Sequence, residues 1–467
     1  MTDLAIIGGG AAGAAVFGEL LQRHRACTIH WIVGATTPGR GVAYSTEDDR
    51  HLLNVRADKM GLFLHQSDDF LVHASGVLGN VSGSDFLPRR VFGDFVQAQV
   101  DALILAARQQ GQAVEIHRAS ALGMEATADH RYRIVMADGS AVDVDSAVLA
   151  LGALPPRALG CVTPSARQGG AYRLDPWNLE SGARSPRRVI VIGTGLTAVD
   201  TLLSASTRWP GAKLVAVSRH GLLPRVHARE ALDAYADQQS LNDELLATTS
   251  IAQMFRKVRQ AIVQNGGEWR SIIDGMRPIN SLLWQGFSTR QRWQFLRHAR
   301  WIWESARHRI PPASHDAIDQ LREEGRLEIL AARVLRVDGS APLRMTVRER
   351  ESQLDMALES DLVIQATGLD TACAYTEHDL IAGLLQHGLA APDPLQLGIR
   401  TELDGRLRNG DGKIQAGLYA IGSLLRGSLW ECTAMPEIRK AAHVVADHLA
   451  KNLRAFDDVG GTLSTAE

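Results

Sequence analysis

A strand–glycine turn–helix unit occurs twice in this sequence and limits the folds that the chain can adopt. The first copy runs through apolar residues 4–7 into Gly8-Gly9-Gly10, and the second through residues 189–192 into Gly193-Thr194-Gly195. Both turns lead into an amphipathic segment of small residues, and a second strand follows each, over 28–33 and 213–217. Short, wholly apolar strands are typical of a parallel sheet covered on both faces. The chain therefore contains two βαβ units.

Each unit has the composition that a dinucleotide-binding turn requires. The first glycine permits the tight turn, the second lets the backbone approach a pyrophosphate, and the third small residue lets helix and strand pack closely. Free N–H groups at the start of the helix then point at the phosphates. A lone G-x-G-x-x-G is a weak signal and two ordinary strand–turn–helix units are the alternative, but each motif here follows a strand and precedes a helix. The predicted cofactor-binding residues are Gly8, Gly9, Gly10, Ala11, Ala12 and Gly13 in the first unit and Gly193, Gly195, Leu196, Thr197 and Ala198 in the second.

The order of the remaining segments predicts a nested arrangement. Apolar strands at 147–152 and 362–368 end in glycine, and each would return to its own sheet and bring Gly152 or Gly368 near a bound cofactor. Strands and a hairpin are predicted over 114–148, and residues 232–309 have no strand signal and are predicted to form a helical insertion. We predict an α/β fold with two Rossmann-like dinucleotide-binding domains, the second inserted in the first. The predicted domains are residues 1–180, residues 181–370 with the insertion 232–309, and residues 371–467, which end in a polar tail from Ala455.

Composition excludes several other classes of protein. Lys and Arg total 50 against 52 Asp and Glu, a net charge of -2, which argues against a protein that coats nucleic acid or an anionic membrane. The four cysteines lie far apart without a C-x-x-C, which argues against a dithiol reductase or a Cys-rich zinc site, and we predict no metal site. No apolar run approaches the roughly 20 residues of a membrane helix, and no basic segment precedes the first strand. We therefore expect a cytoplasmic protein that binds neither membrane nor nucleic acid.

The strands that follow the two turns differ in the residue expected to hold the adenosine. An acid that binds a ribose hydroxyl commonly ends the first of these strands, but here it ends in Val33-Gly34. The second strand ends in Ser218-Arg219-His220. Because a guanidinium binds a 2′-phosphate bidentately, Ser218, Arg219 and His220 favour NADPH over NADH. The alternative is a solvated Arg at a strand end.

Several sequence blocks occur in an order that resembles one family. They are Gly39 to Ser45, His51 to Val55, Pro88 to Gly93, Asp175 to Trp177, Ser218 to Arg225, Phe295 to His298, Arg307 to Arg309, Gly417 to Gly422, Leu425 to Gly427 and Trp430-Glu431. Over nearly its whole length the chain resembles the YdhS-like bacterial FAD/NAD(P)-binding proteins, relatives of the flavin-dependent monooxygenases. Proteins of this plan bind FAD in the first domain and NADPH in the second.

The resemblance implies where FAD lies. Gly8, Gly10 and Gly13 would hold its pyrophosphate, the stretch from Arg40 to Asn54 would run beside the flavin, and the stretch from Gly422 to Ala434 would cover its ring and ribityl chain. The residues assigned to the cofactor in this last stretch are Gly422, Ser423, Trp430, Glu431 and Thr433. Many flavoproteins have Gly-Asp where this chain has Gly422-Ser423. With Val33, two carboxylates that commonly anchor FAD are absent, which bears on the affinity for FAD more than on its identity.

The candidate catalytic residues are His51 and Asn54, three residues apart on the stretch placed beside the flavin. A side-chain amide there can hydrogen-bond a flavin or a peroxide intermediate, and a turn or helix-capping Asn is the alternative. Trp430-Glu431 could cover the isoalloxazine edge or simply begin a helix. A predicted helix from Arg290 to Arg309 interleaves aromatic and basic residues, a pattern that suits nucleic acid or an anionic ligand, of which the NADPH phosphates or an acidic substrate are favoured. Its alternative is an amphipathic helix with aromatics in the core and cations solvated or paired with Glu304.

Together these observations predict an FAD-dependent, NADPH-using oxidoreductase. The predicted activity is that of a monooxygenase that forms a flavin C4a-hydroperoxide and oxygenates a small nucleophilic substrate, such as an amine or a sulfur compound. Its partners would be that substrate and molecular oxygen. Two alternatives stay open: an NADPH–flavin dehydrogenase or oxidase that never transfers oxygen, and a low-turnover dinucleotide-binding sensor or partner subunit.

Overall fold

The computed structural model describes residues 2–23, 27–179 and 185–461, with side chains described as far as Lys451. Within these ranges the backbone forms sixteen strands: β1 (Thr2–Ile7), β2 (Cys27–Ile32), β3 (Val114–His117), β4 (Ala121–Ala126), β5 (Tyr132–Met136), β6 (Ala141–Val144), β7 (Ser146–Leu149), β8 (Tyr172–Arg173), β9 (Arg188–Ile192), β10 (Lys213–Ser218), β11 (Leu327–Gly339), β12 (Leu343–Glu349), β13 (Asp355–Ser360), β14 (Leu362–Gln365), β15 (Arg406–Arg408) and β16 (Ile414–Ala420).

The same ranges contain sixteen α-helices, several of them a single turn long. They are α1 (Ala11–Arg23), α2 (Gly41–Tyr44), α3 (Asp69–Leu78), α4 (Arg89–Gln109), α5 (Pro164–Gln168), α6 (Leu196–Arg208), α7 (Gln238–Leu246), α8 (Ile251–Gln264), α9 (Trp269–Gly275), α10 (Asn280–Gly286), α11 (Thr289–His298), α12 (Arg300–Arg307), α13 (Pro312–Glu323), α14 (Asp379–Gln386), α15 (Arg426–Leu429) and α16 (Met435–Gly461).

The first sheet has the strand order β15-β16-β7-β1-β2-β3, with β1 parallel to both of its neighbours. Because side chains alternate along a strand, β1 serves two cores. Leu4 and Ile6 pack with α1, α4 and α16 on one face, whereas Ala5 and Ile7 pack with the β4–β6 meander and α14 on the other. Both faces are thus covered, as the apolar strand predicts.

The second sheet has the order β13-β12-β11-β10-β9-β14-β8 and lies between the strands of the first sheet in sequence. On β9, Val189 and Val191 pack with α6 and α13, and Ile190 and Ile192 pack on the opposite face with residues of β11 and β12. Since β15 and β16 return to the first sheet after β14, the nested α/β arrangement predicted from the sequence is confirmed. The domain boundaries stay a prediction, and β8 joins the second sheet before the predicted boundary at 180.

The segment 232–309 is helical, as predicted, and contains α7 to α12 around a core of its own. The prediction of one helix from Arg290 to Arg309 was wrong, because α11 ends at His298, α12 begins at Arg300, and Ala299 between them caps both. Ala299 has φ -119° and is buried with Phe295 against Trp284 and Trp430, so tertiary packing bends the chain there.

The C-terminal helix α16 packs along α1 in the first domain. Its backbone continues through Ala455, where a polar tail was predicted, to Gly461, and residues 462–467 lie outside the described part. Among the described helices, none combines the length and the hydropathy needed to cross a bilayer.

Candidate functional site: two glycine turns joined by an interdomain loop

The carboxyl ends of three neighbouring strands meet at the first glycine turn. Gly8 follows β1 with φ 127°, and a Cβ there would overlap the carbonyl oxygen of Ala150, the residue after β7. The indole Nε1 of Trp31, on β2, donates to the Gly8 carbonyl at 3.0 Å. The turn is therefore held from both sides, and Trp31 is a positioning residue that the sequence motifs did not reveal.

The space above this turn is open. A Cβ added at Gly10 would meet nothing closer than the Cα of Gly41, at 3.6 Å, and one added at Gly152 or Gly422 would meet nothing within 4 Å. The helix α1 begins at Ala11, so the N–H groups of its first turn have no intrahelical acceptor. Gly10, Gly152 and Gly422 thus border open space at the carboxyl edge of the sheet, whereas Gly13 is packed against the Gly8 carbonyl and Trp31, and Ala11 and Ala12 are buried.

The residues expected to anchor the rest of FAD are less suited to it. Val33 is buried and offers no carboxylate. Ser423 is buried as well, and its hydroxyl donates to the Gly152 carbonyl, so it ties two loops together. Arg40, predicted beside the flavin, instead pairs with Asp94 and donates from Nε to Gln97 Oε1 at 2.9 Å. Both partners lie on α4, so these contacts hold the Arg40 side chain against that helix, and its contact with the flavin stays a prediction.

The second turn repeats the geometry of the first. Gly193 also has φ 127°, and a Cβ there would overlap the carbonyl oxygen of Ala366, the residue after β14. A Cβ added at Gly195 or Gly368 would meet nothing within 4 Å. The helix α6 then begins at Leu196, followed by Thr197 and the buried Ala198. Both glycine turns are therefore shaped by the same close approach of a neighbouring strand.

Beside the second turn, two guanidinium groups flank an aromatic stack. Ser218 Oγ accepts hydrogen bonds from Thr194 Oγ1 at 2.9 Å and from Gly221 N at 3.0 Å, which holds the end of β10 against the turn. The next side chain, Arg219, is exposed, and Arg350 from the end of β12 donates to its carbonyl at 3.4 Å. Arg350 was not predicted, because the β11–β12 pairing that brings it here is not visible in a local pattern.

His220 lies between these cations and the helical insertion. Its ring stacks on Trp301 with centroids 4.3 Å apart and planes 17° apart. Burial and the neighbouring Arg350 and Arg219 lower the pKa of His220, so the neutral ring leaves the two guanidinium groups as the local positive charge.

The loop of residues 46–56, called the interdomain loop below, ties the first domain to the second. His51 is buried, and its Nε2 lies 2.7 Å from Ser204 Oγ and 3.2 Å from the Asp200 carbonyl on α6. Its Nδ1 lies 2.7 Å from Thr46 Oγ1. Since both ring nitrogens are engaged by protein atoms, these contacts give His51 an interdomain role, and its catalytic role stays a prediction.

A buried ion pair reinforces the same contact. Arg89 Nη2, at the start of α4, lies 2.8 Å from Asp200 Oδ2, and both side chains are largely buried. Burial raises the pKa of Asp200, and Arg89 opposes that rise. The charge on Asp200 therefore depends on its partner in the other domain.

Asn54 differs from His51 in that its side chain has no hydrogen-bond partner among the described residues. Its carbonyl accepts a hydrogen bond from His227 Nε2 at 3.1 Å, whereas its side-chain amide makes none within the described part of the chain. Burial, and then the charge of Arg309, lower the pKa of His227 to about 3, so this imidazole is a neutral donor at physiological pH. Arg56 adds a hydrogen bond to the Ala228 carbonyl at 3.0 Å. The second domain thus fixes the backbone at Asn54 and leaves its amide available.

Trp430 and Glu431 contact the helical insertion, and their place over the flavin stays a prediction. The Trp430 ring is 6% exposed, stacks on Trp284 with centroids 4.8 Å apart and meets the Phe295 ring edge-on at 5.4 Å. Glu431 pairs with Arg307 of α12 at 3.0 Å. Of the three predicted residues here, Thr433 alone is exposed. Trp430 and Glu431 therefore anchor the helical insertion, because their partners come from distant helices.

The arrangement of the two turns fits two dinucleotides. Each turn has a glycine of positive φ packed against a neighbouring strand, open space at Gly10 or Gly195, and helix-start N–H groups that lack an intrahelical acceptor, which is what a pyrophosphate requires. The fit is weaker at the ribose and ribityl positions, where Val33 and Ser423 replace carboxylates.

Burial raises the pKa of Cys27 to about 11 and the pKa values of Cys373 and Cys432 to about 12, so these thiols are not activated for disulfide exchange.

Comparisons with known proteins agree with this geometry. Residues 5–154 match the model of a family described as FAD-NAD(P)-binding. An uncharacterized protein of Mycobacterium tuberculosis is 25% identical over 415 residues, which cover 80% of this chain and 75% of that protein.

Two solved structures share the fold across nearly the whole chain. The ornithine N-hydroxylase of Kutzneria sp. 744, with reduced FAD, NADP+ and L-ornithine, has a TM-score of 0.65 at 14% identity, covering 97% of this chain and 99% of its own. The L-lysine 6-monooxygenase of Pseudomonas syringae has a TM-score of 0.63 at 16% identity, with the same two coverages. The predicted relation to flavin-dependent monooxygenases is confirmed as a shared fold, while the YdhS-like label stays a prediction. The first part of this chain therefore matches the FAD-NAD(P)-binding family, and the chain as a whole has the fold of this hydroxylase and this monooxygenase.

Proposed function

We propose that this chain is an FAD-dependent, NADPH-using monooxygenase that adds one oxygen atom to a small amine or sulfur substrate. The observation that carries the proposal is the repeated geometry of the two glycine turns. Gly8 and Gly193 have the same φ, each lies against a carbonyl at the end of a neighbouring strand, and each turn faces open space. Two such sites in nested domains suit electron transfer from a nicotinamide to a flavin.

The first turn is proposed to hold FAD. The N–H groups at the start of α1 would bind the pyrophosphate, and Gly10 leaves room for its approach. When bound, FAD supplies the acceptance of two electrons and the reaction with oxygen, chemistry that side chains lack. Trp31 keeps the Gly8 carbonyl in place, and Ser423 keeps the Gly152 loop against the turn.

The second turn is proposed to hold NADPH. The N–H groups at the start of α6 would bind its pyrophosphate beside Gly195. Arg219 and Arg350 would bind the 2′-phosphate from two sides, with Ser218 holding the end of β10 in register. These residues support a preference for NADPH over NADH.

The interdomain loop is proposed to position the reacting groups. Asn54 offers the one side-chain amide of this loop, on a backbone that neutral His227 fixes from the other domain. We assign Asn54 the contact with cofactor or substrate, and His51 the positioning of the loop against α6. A rigid loop at the domain junction also helps to exclude water from the proposed reaction site, which limits side reactions that would waste the electrons of NADPH.

The proposed overall reaction consumes NADPH, a proton and oxygen. Two electrons from NADPH reduce one oxygen atom to water, and the other oxygen atom is transferred to the substrate nitrogen or sulfur. Both structural neighbours named above act on amino acids with a side-chain amine by their names, which makes primary amines the first substrate class to test.

One observation favours a second candidate. Val33 and Ser423 leave FAD without two of its common carboxylate anchors, and the Ser423 hydroxyl is already bonded to Gly152. A loosely held flavin suits an NADPH–flavin dehydrogenase or oxidase, or a low-turnover binding protein, as well as it suits a monooxygenase.

Labelled oxygen gas separates these candidates. Protein supplied with FAD and NADPH is incubated under ¹⁸O₂ with a panel of small primary amines and thioethers, and the product masses are measured. The proposal expects one labelled atom in the product of at least one substrate. NADPH consumption with hydrogen peroxide and unlabelled organic products would establish a dehydrogenase or oxidase instead. Absence of NADPH consumption across the panel would favour the binding protein.

A further inference from the structure

Three potential metal ligands lie together on the edge of the first sheet. His30 is on β2, and Glu115 and His117 are on the edge strand β3. The parallel register pairs His30 with Glu115, and residues two apart on a strand point to the same face. All three side chains therefore project from one face of the sheet.

The three ligand atoms form a compact triangle. His30 Nδ1 lies 3.1 Å from His117 Nε2 and 3.2 Å from Glu115 Oε2, and the latter two atoms are 3.8 Å apart. The point equidistant from these atoms lies inside the triangle, about 2.0 Å from each, which is the length of a zinc–nitrogen or zinc–oxygen bond. Among the described residues, this is the one group of three such side chains whose ligand atoms converge closely enough for a metal ion.

The surroundings orient the ligands. The His30 side chain is almost fully buried, and the Asp3 carboxylate lies on its far side, 4.0 Å from Nε2, so Nδ1 is the ring nitrogen that faces Glu115 and His117. Asp3 is itself held by Arg131. Glu115 is more than half exposed, which leaves an approach from solvent.

We propose that His30, Glu115 and His117 bind a zinc ion, with water in the fourth position. Imidazole nitrogens and a carboxylate oxygen are ligands that suit zinc among the divalent metals, and three protein ligands leave one position open. The alternative is a plain hydrogen bond from one imidazole to the other or to Glu115. A bifurcated N–H on His30 Nδ1 accounts for the two short distances but not for the approach of His117 Nε2 to Glu115 Oε2 at 3.8 Å, whereas an ion accounts for the convergence of all three atoms.

The site lies next to the first dinucleotide opening. The His117 carbonyl accepts a hydrogen bond from Val33 N at 3.0 Å, and Val33 stands where an acid would hold a ribose. A metal that joins β2 to β3 would therefore stabilise the strand end that borders this opening. The proposal itself does not depend on the proposed function.

The test uses the full chain without an affinity tag, stripped with EDTA and dialysed against zinc, with bound metal measured per chain. We expect one equivalent of zinc in the wild type and a thermal transition that rises with zinc concentration, since the ion binds the folded state. Cobalt substituted for zinc should give the visible absorption of a site with nitrogen and oxygen ligands.

The variant Glu115→Gln removes one ligand from an exposed position and should leave the fold intact, which circular dichroism checks. Loss of a ligand should weaken zinc binding by more than the roughly 10- to 100-fold that loss of an outer partner costs. His117→Asn should behave in the same way. The control His315→Gln removes a half-exposed imidazole that lies beside Asp319 on α13, and should bind zinc as the wild type does. A wild type that takes up no zinc, or Glu115→Gln and His117→Asn variants with wild-type affinity, would overturn the proposal.

Discussion

Alanine at Gly10 or Gly195 separates nucleotide binding from folding. A Cβ at Gly195 would meet no protein atom within 4 Å, and at Gly10 the nearest would be the Gly41 Cα at 3.6 Å. Gly195 has φ -80°, which alanine adopts without strain, and Gly10 has no positive φ. Alanine at a helix N-cap stabilises the helix slightly less than glycine does, but it also lowers the conformational entropy of the unfolded chain. Because these two effects nearly cancel, the free energy of unfolding of both variants should stay within about 1 kcal/mol of the wild-type value.

The effect on binding should be much larger, because the new methyl group occupies the space through which a pyrophosphate approaches. Loss of one hydrogen bond to a charged phosphate is worth about 1.5–3 kcal/mol, which corresponds to a roughly 10- to 150-fold weaker Kd. Gly10→Ala should weaken FAD binding by that factor and leave NADP+ binding unchanged. Gly195→Ala should do the reverse.

Calorimetric titration of each variant with FAD and with NADP+ measures this crossed pattern, and thermal unfolding checks that the fold is kept. Gly123→Ala is the matched control, since a Cβ there also meets nothing within 4 Å but β4 lies outside both turns. If both variants bound both nucleotides with wild-type affinity, the assignment of the openings to pyrophosphates would be refuted.

Three further changes test the electrostatics. Arg219→Ala should cut the preference for NADPH over NADH by about tenfold in kcat/KM, the lower end for an exposed charge-assisted contact, and an unchanged preference would contradict the 2′-phosphate assignment. Arg89→Ala should cost about 3–5 kcal/mol of unfolding free energy at neutral pH, because it leaves the buried Asp200 carboxylate unpaired. Burial raises the pKa of Asp200, so the loss of unfolding free energy should shrink as the pH falls through that pKa and the carboxylate is protonated. The double variant Arg89→Ala/Asp200→Asn should recover most of the lost unfolding free energy. The pKa of His227 is lowered to about 3, below its unfolded value near 6.5, so its contribution to stability is present above pH 6.5 and is lost as the pH falls towards 3. Acid titration of His227→Gln by circular dichroism should therefore show a shallower loss of stability than the wild type, and an identical curve would contradict it.

The glycine turns could be predicted from sequence because the features that shape them are local. An apolar strand, a glycine with positive φ and a helix start follow one another within about ten residues, and Gly8 and Gly193 share one φ. The nested order of the two sheets also followed from strands that end in Gly152 and Gly368. Local sequence patterns were sufficient to predict the parts of the fold in which neighbours in the sequence are also neighbours in space.

The side chains around the turns depend on partners that are distant in sequence. Arg40 pairs with Asp94 on α4, and Trp430, for which the sequence left a flavin cover and a helix start as alternatives, packs on Trp284 in the insertion. Arg350 reaches the second turn through a strand pairing that no local pattern shows. Such contacts are set by the docking of helices and sheets. Sequence patterns therefore predicted where the two glycine turns lie, but not which side chains surround them.

The zinc ligands show an intermediate case. Glu115 and His117 alternate on a predicted strand, a period-2 signal that was available in the sequence. Their partner His30 joins them only through the pairing of β2 with β3. The absence of a Cys-rich or H-E-x-x-H motif therefore gave no information about a site assembled across strands.

NADPH bound at the second turn is proposed to reduce FAD bound at the first. The visible spectrum of the protein supplied with FAD, recorded as NADPH is added without oxygen, tests this electron transfer. We expect the flavin bands to bleach with one equivalent of NADPH, and we expect Gly195→Ala to slow or prevent the bleaching while FAD stays bound. A wild-type protein that binds FAD and NADP+ but stays yellow, or one that does not bind FAD at all, would contradict it.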